Sequence, residues 1–106
     1  MTEETELVEI TEDRRDTTLN IQRTVLDQIL EERTYQRNRW GDDHDLYHTK
    51  EDWMIILTSY LGKAASDAHP YRSKDDPAAM RAFKKRLVQT AAICVAALEA
   101  LEKSHE

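Results

Sequence analysis

Residues that interrupt helices are scarce in this chain of 106 residues, which contains two glycines and two prolines. A β fold of this length needs many turns, and turns depend largely on glycine and proline. The sequence therefore predicts an all-α fold made of a few long helices. A chain this short buries only a small core, so we expect an antiparallel bundle of three main helices that is completed by oligomerisation.

The first helix is predicted over residues 18–40. Asp16 and Thr17 are suitable caps for its start, and Gly41 is a suitable left-handed cap for its end. Its apolar residues recur at helical spacing and form a stripe that becomes polar toward the C-terminal end. The stripe consists of Val25, Leu26, Ile29 and Leu30.

The second helix is predicted over residues 50–69. Thr49 is a good N-cap, Asp52 follows it by three residues as in a capping box, and Pro70 ends the helix. One face of this helix is expected to be apolar. It carries Trp53, Leu57, Tyr60, Leu61, Ala64 and Ala68.

The third helix is predicted over residues 77–103, capped by Asp76, with Pro77 in the first helical position. The segments 42–48 and 70–76 are predicted to be loops. The third helix has the most regular apolar face in the chain, which we expect to be buried. It is formed by Phe83, Leu87, Ala91, Cys94, Leu98 and Leu101.

Acidic residues are concentrated near the N-terminus: seven of the 21 lie within residues 1–16, beside two arginines. Most of the net charge of −6 therefore belongs to this segment, which we expect to be a mobile, solubilising tail. Residues 17–106 are expected to form the helical domain. Because this domain has no strongly basic face, duplex nucleic acid is not an expected partner.

The only cysteine, Cys94, has no partner for a disulfide within the chain, and it is predicted to be buried and inert. No apolar run approaches the roughly 20 residues of a membrane span, and the N-terminus has no signal-peptide pattern. We therefore expect a cytoplasmic protein without a membrane partner.

Residues that can bind a nucleotide cluster around the end of the first helix: Arg33, Arg37, Arg39 and Trp40, followed by Lys50. Arginines can donate paired hydrogen bonds to phosphate oxygens, and a tryptophan can stack on a base. The structural alternative is that the arginines pair with nearby acids and that Trp40 anchors the core. Both interpretations remain open at this point.

The segment after Gly41 carries carboxylates and imidazoles that are possible ligands of a divalent cation. These residues are Asp42, Asp43, His44, Asp45 and His48. The helix ends at the glycine, however, so the four-residue spacing of the histidines does not place both rings on one face. We therefore favour a connecting segment or the rim of a site over a metal site. The chain also lacks the glycine-rich and serine motifs of phosphate loops and nucleophilic hydrolases.

Three runs of the sequence, in this order and spacing, resemble small phage and prophage proteins of the MazG-like kind. The runs are ILEERTYQRNRWGDDHD, EDWMIILTSYLGKAA and KKRLVQTAAICVAALEALEK, which fall within residues 21–103. These proteins belong to the all-α nucleoside triphosphate pyrophosphohydrolases. The resemblance implies a helical domain over residues 17–106, members that are commonly dimers or tetramers, and a nucleotide as the ligand.

Family members hold Mg²⁺ against the substrate triphosphate with an E-E-x-x-E run on the second helix and an E-x-x-D run on the third. The corresponding positions here are Ser59, Tyr60, Lys63, Arg86 and Gln89. None of them is acidic, and the two cations would repel Mg²⁺. The resemblance therefore implies a catalytically impaired domain with no cofactor, in which Lys63 and Arg86 contact phosphate directly.

The leading hypothesis is a nucleotide-binding protein without hydrolase activity. In a phage setting, such a protein would sequester a host nucleotide signal in the host cytoplasm. Trp40, Trp53 or Tyr60 would contact the base. One alternative is an active pyrophosphohydrolase that binds Mg²⁺ through other acids, such as Glu31, Glu32, Asp52 and Asp67. The other is a non-catalytic oligomeric module that binds a protein of the host.

Overall fold

The computed structural model describes residues 2–68 and 76–104, and the side chains of residues 16–41, 43, 45–68 and 76–103. These residues form four helices and no strand, so the predicted all-α fold is confirmed. The helices are α1 (Thr2–Trp40), α2 (Asp42–Leu46), α3 (Lys50–Asp67) and α4 (Pro77–Ser104). Among these helices, none combines the length and the apolarity needed to cross a bilayer.

Helix α1 begins at Thr2, so the predicted start near residue 18 is wrong. Asp16 and Thr17 are interior residues of the helix rather than caps. Two physical reasons explain the difference: residues 2–40 contain neither proline nor glycine, and acidic residues are favourable near a helix N-terminus. The end of the helix agrees with the prediction, since Gly41 has a φ of +83° and its N–H donates to the Arg37 carbonyl.

The segment after Gly41 contains the short helix α2, so the prediction of a loop over residues 42–48 is also wrong. The turn at Gly41 redirects the chain, and Asp45 of α2 becomes buried. The His48 N–H then donates to the Asp45 carbonyl, which closes this helix. Most of the predicted loop 70–76, and the predicted helix end at His69, lie outside the described residues.

Helix α3 begins with the predicted capping box. The Asp52 N–H donates to the Thr49 hydroxyl over 3.1 Å, and the Thr49 N–H donates to the Asp52 carboxylate over 2.9 Å. Helix α4 begins as predicted: the Asp76 carboxylate accepts a hydrogen bond from the Ala78 N–H over 3.0 Å. The starts of both helices are therefore determined by local sequence.

The core lies between α3 and α4, which are antiparallel. Trp53, near the start of α3, belongs to one buried cluster with Ile93 and Ala97 in the second half of α4. Asp67, at the end of α3, pairs with Arg86, near the start of α4, over 3.6 Å. The alanines on α4 have small side chains and leave room for the bulky indole of Trp53. The indole therefore fills the space between the two helices.

Both α1 and α3 pack on α4, but no Cα atoms of their described residues lie within 8 Å of each other. The molecule measures 60 × 45 × 22 Å, so its smallest dimension is about two helix diameters. A layer this thin leaves many apolar side chains at the surface. They include Leu26 and Leu30 of the predicted first stripe and Leu61 of the second.

The predicted buried face of α4 is partly wrong. Leu87, Cys94, Leu98 and Leu101 are exposed, and the helix instead buries a neighbouring alanine-rich face around Ile93. Helix α4 is apolar on several sides, so periodicity alone did not identify the side that meets α3. Cys94 is therefore an accessible thiol rather than a buried one.

The capping box predicts a pH-dependent stability. The hydrogen bond from the Thr49 N–H, supported by the Thr49 hydroxyl, lowers the pKa of Asp52 from its ordinary 3.8. A carboxyl with a depressed pKa stabilises the folded state above its unfolded pKa, and this stabilisation is lost as the pH falls through the folded pKa. We expect the difference in unfolding free energy between the wild type and Asp52→Asn to be full at pH 7 and to shrink below about pH 4.

Urea denaturation at several pH values measures this difference. Glu51→Gln is the control, because it removes an acid from the same helical turn without altering the capping box. Identical pH profiles for the two variants would contradict the assignment to Asp52.

Candidate functional site

A cavity of about 260 Å³ lies where the end of α1, helix α2, the first half of α3 and the second half of α4 meet. Its volume is slightly below the ~300–1,000 Å³ typical of small-molecule pockets, so it suits one ring system better than a whole nucleotide. The lining residues are Arg33, Gln36, Trp40, Asp45, His48, Trp53, Ile56, Tyr60, Ile93 and Ala96.

One wall of the cavity is built around Arg33, which is 4% exposed. Its Nη2 donates to the carboxylates of Asp45 on α2 and Glu99 on α4, in both cases over 3.2 Å. Arg37 also donates to the Glu99 carboxylate, over 3.0 Å. Three helices are therefore joined through a single buried guanidinium, and its charge is compensated on both sides.

Two residues that line this cavity each carry a buried polar atom that lacks a hydrogen-bond partner among the described residues. They are Nε of Arg33 and Nε1 of Trp53, and both are buried. Each carries an N–H group that can only donate. Leaving a buried donor unsatisfied costs about 1–3 kcal/mol, so an acceptor supplied from within the cavity would be favourable.

Aromatic side chains form much of the remaining wall. Trp53 is buried in the core, while Trp40, at the end of α1, remains partly exposed. The His48 ring meets the Trp53 ring edge-on, with their centroids 4.9 Å apart. Tyr60 lies about two turns after Trp53 along α3. The cavity therefore offers flat apolar faces, and two of the residues around it carry the unsatisfied donors.

The two residues predicted to contact phosphate, Lys63 and Arg86, are not part of the cavity lining. The Lys63 ammonium is 4.7 Å from the centre of the Tyr60 ring and is exposed. Arg86 donates to the Gln89 side chain over 2.9 Å and pairs with Asp67. Of these two cations, Lys63 is therefore the one that has no carboxylate beside it among the described residues.

Gln89 connects this region to the cavity through its backbone. Its carbonyl accepts a hydrogen bond over 3.3 Å from Gln36, which is buried and lines the cavity. Gln89 also borders a separate, more open cleft of about 300 Å³ between α1 and α4, together with Glu32 and Lys85. Ser59 is exposed and lines neither space.

The structure thus brings four of the nine predicted ligand residues to the cavity: Arg33, Trp40, Trp53 and Tyr60. Arg37, Ser59, Lys63, Arg86 and Gln89 lie outside its lining. The sequence left open whether the arginines at the end of α1 bind a ligand or pair with acids. Arg33 and Arg37 do pair with acids, and Arg33 also lines the cavity. Arg39 instead donates to the Tyr35 hydroxyl over 3.0 Å.

The acids considered as metal ligands are not clustered. Asp52 belongs to the capping box and Asp67 pairs with Arg86. Glu32 borders the open cleft. Within the described part of the chain, no group of three or more His, Cys, Asp or Glu side chains is arranged to hold a metal ion.

Sequence reasoning did not identify Gln36 or Glu99 as parts of the site, and it treated Asp45 and His48 as part of a connecting segment or of the rim of a site. Glu99 is far from Arg33 in sequence, so only the fold reveals their ion pair. Gln36 did carry a recognisable pattern, because it follows Arg33 by three residues and precedes Trp40 by four, and all three therefore share one face of the helix.

Comparisons of the chain with protein-family models, with curated proteins and with solved structures give no match. The functional argument therefore depends on the geometry of the cavity and of the residues around it.

The ion pairs of Arg33 predict a large loss of stability in Arg33→Met. This change removes the guanidinium that pairs with the buried Asp45 carboxylate, and breaking a buried pair in this way typically costs about 3–5 kcal/mol. Urea denaturation monitored by circular dichroism measures the loss. Arg37→Met is the matched control: its side chain is 42% exposed, so we expect about 0–1 kcal/mol. Equal losses in the two variants would contradict the importance of burial.

Proposed function

We propose that this protein binds a nucleotide, with the base in the cavity and the phosphates extending past Tyr60 toward Lys63. In this proposal the chain is a MazG-like domain that retains the helical scaffold but does not hydrolyse its ligand. The observation that carries the proposal is the pair of buried, unsatisfied donors, Nε of Arg33 and Nε1 of Trp53, beside an aromatic cavity.

The donors favour a ligand rich in acceptors. Purines and pyrimidines present carbonyl oxygens and ring nitrogens at the edge of a flat ring, and such a ring matches the faces of Trp40 and Tyr60. A base that accepts from Arg33 or Trp53 would remove a desolvation cost that the free protein bears. An apolar ligand of the same size would leave that cost in place.

The charge of the cavity favours a neutral group at its centre. The guanidinium of Arg33 already faces the carboxylates of Asp45 and Glu99, so an additional buried anion would be close to two like charges. A nucleobase is neutral at pH 7, whereas a phosphate is not. The phosphates are therefore expected to remain outside the cavity.

Lys63 is the most suitable phosphate contact. Its ammonium lies over Tyr60, which lines the cavity, and it is exposed to solvent. An ammonium at this position can form charge-assisted hydrogen bonds with phosphate oxygens. Arg86 would contribute less, because Asp67 lies 3.6 Å from it.

Binding without hydrolysis is supported by the charges of the same residues. A Mg²⁺ site needs several negatively charged oxygen ligands. The positions that correspond to the metal ligands of the MazG-like family instead carry Lys63, Arg86 and uncharged residues. In a phage setting, tight binding without turnover would suit a protein that removes a host nucleotide signal in the host cytoplasm. A host protein partner is the alternative role for an oligomer that binds no nucleotide.

Trp53→Phe tests the donor assignment. The phenyl ring retains the aromatic face but removes the buried N–H, so we expect affinity for a bound nucleoside or nucleotide to fall about 3–10-fold. Isothermal titration with mono-, di- and cyclic nucleotides gives the affinities. Trp40→Phe is the matched control: it makes the same chemical change at a partly exposed indole, and a smaller loss is expected. An equal loss in both variants would contradict the role of Nε1.

Lys63→Gln tests whether the phosphates of the bound nucleotide extend toward Lys63. We expect it to weaken the binding of nucleotides about 10- to 100-fold while leaving the matching nucleoside unaffected, because a charge-assisted hydrogen bond contributes ~1.5–3 kcal/mol. Lys103→Gln, an equivalent change on exposed α4 surface, serves as the control. A similar loss for nucleoside and nucleotide would place the phosphates elsewhere.

The proposal as a whole fails if the folded protein binds no nucleotide at high micromolar concentration. Release of pyrophosphate from triphosphates with Mg²⁺ or Mn²⁺, abolished by Glu32→Gln, would instead establish the hydrolase alternative.

A further inference from the structure

The open cleft between α1 and α4, about 300 Å³ in volume, carries a cluster of cations that the proposed function does not use. Arg81, Lys84 and Lys85 of α4 line it, and all three are exposed. The two lysines follow Arg81 by three and four residues, so both share its face of the helix, with Cβ atoms ~5–6 Å from its own. We call this space the α1–α4 cleft; its lining is completed by Gln28, Glu32, Val88 and Gln89.

The charges of the three cations are not compensated within the described part of the chain. No Asp or Glu oxygen there lies within 4.0 Å of the charged nitrogens of Arg81, Lys84 or Lys85. Glu32, the one acid in the lining, is therefore not paired with any of them, and the cleft has a net charge of +2. Like charges at this helical spacing repel each other, so an anion bound in the cleft would stabilise the folded protein.

Other arginines around α4 differ from this cluster. Arg33 and Arg37 of α1 pair with Glu99, and Arg86 of α4 pairs with Asp67. Where the fold uses a cation to join helices, it supplies a carboxylate beside it. The cluster in the α1–α4 cleft joins no helices in this way, so its charges are available to a ligand.

The uncharged part of the lining adds further hydrogen-bond donors. The side-chain oxygen of Gln89 accepts from Arg86 over 2.9 Å, which leaves the amide NH₂ group of Gln89 as a donor. Gln28 contributes a second amide from α1, and Val88 is the one apolar residue of the lining. A ligand rich in acceptor oxygens therefore fits the cleft better than an apolar one.

The number of charges favours a phosphoryl group over a carboxylate. A carboxylate carries one negative charge on two oxygens. A phosphomonoester carries a charge of about −1.5 to −2 at pH 7 and presents three acceptor oxygens. It therefore matches the net charge of the cleft and offers one oxygen to each of the three cations.

The extent of the cluster favours a small molecule over a nucleic-acid strand. Four residues of rise separate Arg81 from Lys85, which is ~6 Å. Successive phosphates of a strand are ~3.4 Å apart along the helix axis, so the cluster could contact about two of them. The cleft volume of about 300 Å³ instead lies at the lower end of the ~300–1,000 Å³ typical of small-molecule pockets.

The α1–α4 cleft is separate from the cavity in which the nucleobase is proposed to bind. The two spaces share no lining residue. They are joined by one hydrogen bond, which Gln36 of the cavity lining donates to the Gln89 carbonyl. Lys63, the proposed contact of the nucleotide phosphates, belongs to α3, and no residue of α3 lines the cleft.

We propose that the α1–α4 cleft is a second binding site, which holds a small phosphorylated molecule through its phosphoryl group. Arg81, Lys84 and Lys85 donate to the three phosphoryl oxygens. Gln28 and Gln89 donate to polar groups on the remainder of the molecule. The site is independent of the proposed nucleotide binding.

Titration with glycerol 3-phosphate at constant ionic strength, followed through the backbone amide resonances, tests the site. We expect saturating shifts that are largest around Arg81, Lys84 and Lys85, and no shifts with glycerol, which lacks the phosphoryl group. No saturation by ~20 mM, where a site with a dissociation constant of ~1 mM is almost fully occupied, would overturn the proposal. A phosphoserine peptide that binds more than about 10-fold tighter would also overturn it, because the occupant would then be a phosphoprotein.

Substitutions test the assigned contacts with opposite signs. Lys84→Gln and Lys85→Gln are each expected to weaken the binding of glycerol 3-phosphate about 5-fold, because each removes one exposed charge contact. Glu32→Gln is expected to strengthen it about 3-fold, because the acid repels the ligand. Lys103→Gln, on exposed α4 surface outside the cleft, is the control. Weaker binding in Glu32→Gln, or an equal loss in Lys103→Gln and Lys85→Gln, would contradict the assignment.

A comparison with Lys63→Gln separates the two sites. We expect this variant to bind glycerol 3-phosphate with wild-type affinity, and Lys85→Gln to bind nucleotides with wild-type affinity. Loss of glycerol 3-phosphate binding in Lys63→Gln would place the phosphoryl group beside α3 and overturn the second site. A protein that binds glycerol 3-phosphate in the cleft but binds no nucleotide would contradict the proposed function alone.

Discussion

The ion pairs of Arg33 are the interaction on which the site depends. A single buried guanidinium joins the end of α1 to Asp45 of α2 and Glu99 of α4, and it forms one wall of the cavity. Burying a charge is costly unless it is compensated, so the three helices are held in the one arrangement that supplies both carboxylates. The position of α2, which has only five residues, follows from this requirement.

The same arrangement explains why the cavity is a plausible ligand site. Both Nη2 bonds of Arg33 are used to hold the fold, while its Nε and the Nε1 of Trp53 remain without a partner among the described residues. A structural network that leaves two buried donors unsatisfied bears a cost that packing alone does not explain. In the proposed complex, an acceptor-rich ring would offset that cost, and the exposed Lys63 nearby would supply the positive charge for the phosphates.

Sequence reasoning identified local features well and contacts between distant segments poorly. The capping box at Thr49, the cap at Asp76 and the helix end at Gly41 each depend on residues within one turn of each other. The exposure of Cys94 was predicted wrongly, because several sides of α4 are apolar and only contact with α3 and α1 selects the buried one. Glu99 was missed because its partner Arg33 is 66 residues away in the sequence, so only the fold brings the two together.

The sequence by itself determined the helical class, the capped starts of α3 and α4, and the concentration of arginine and aromatic residues at the end of α1. These properties follow from backbone sterics and from hydrogen bonds within a turn. Only the tertiary structure decided that Arg33, Trp40, Trp53 and Tyr60 surround one cavity, and that the most regular apolar stripe faces outward. Those outcomes depend on which helix faces meet, and that is settled by the shapes and charges of residues far apart in the chain.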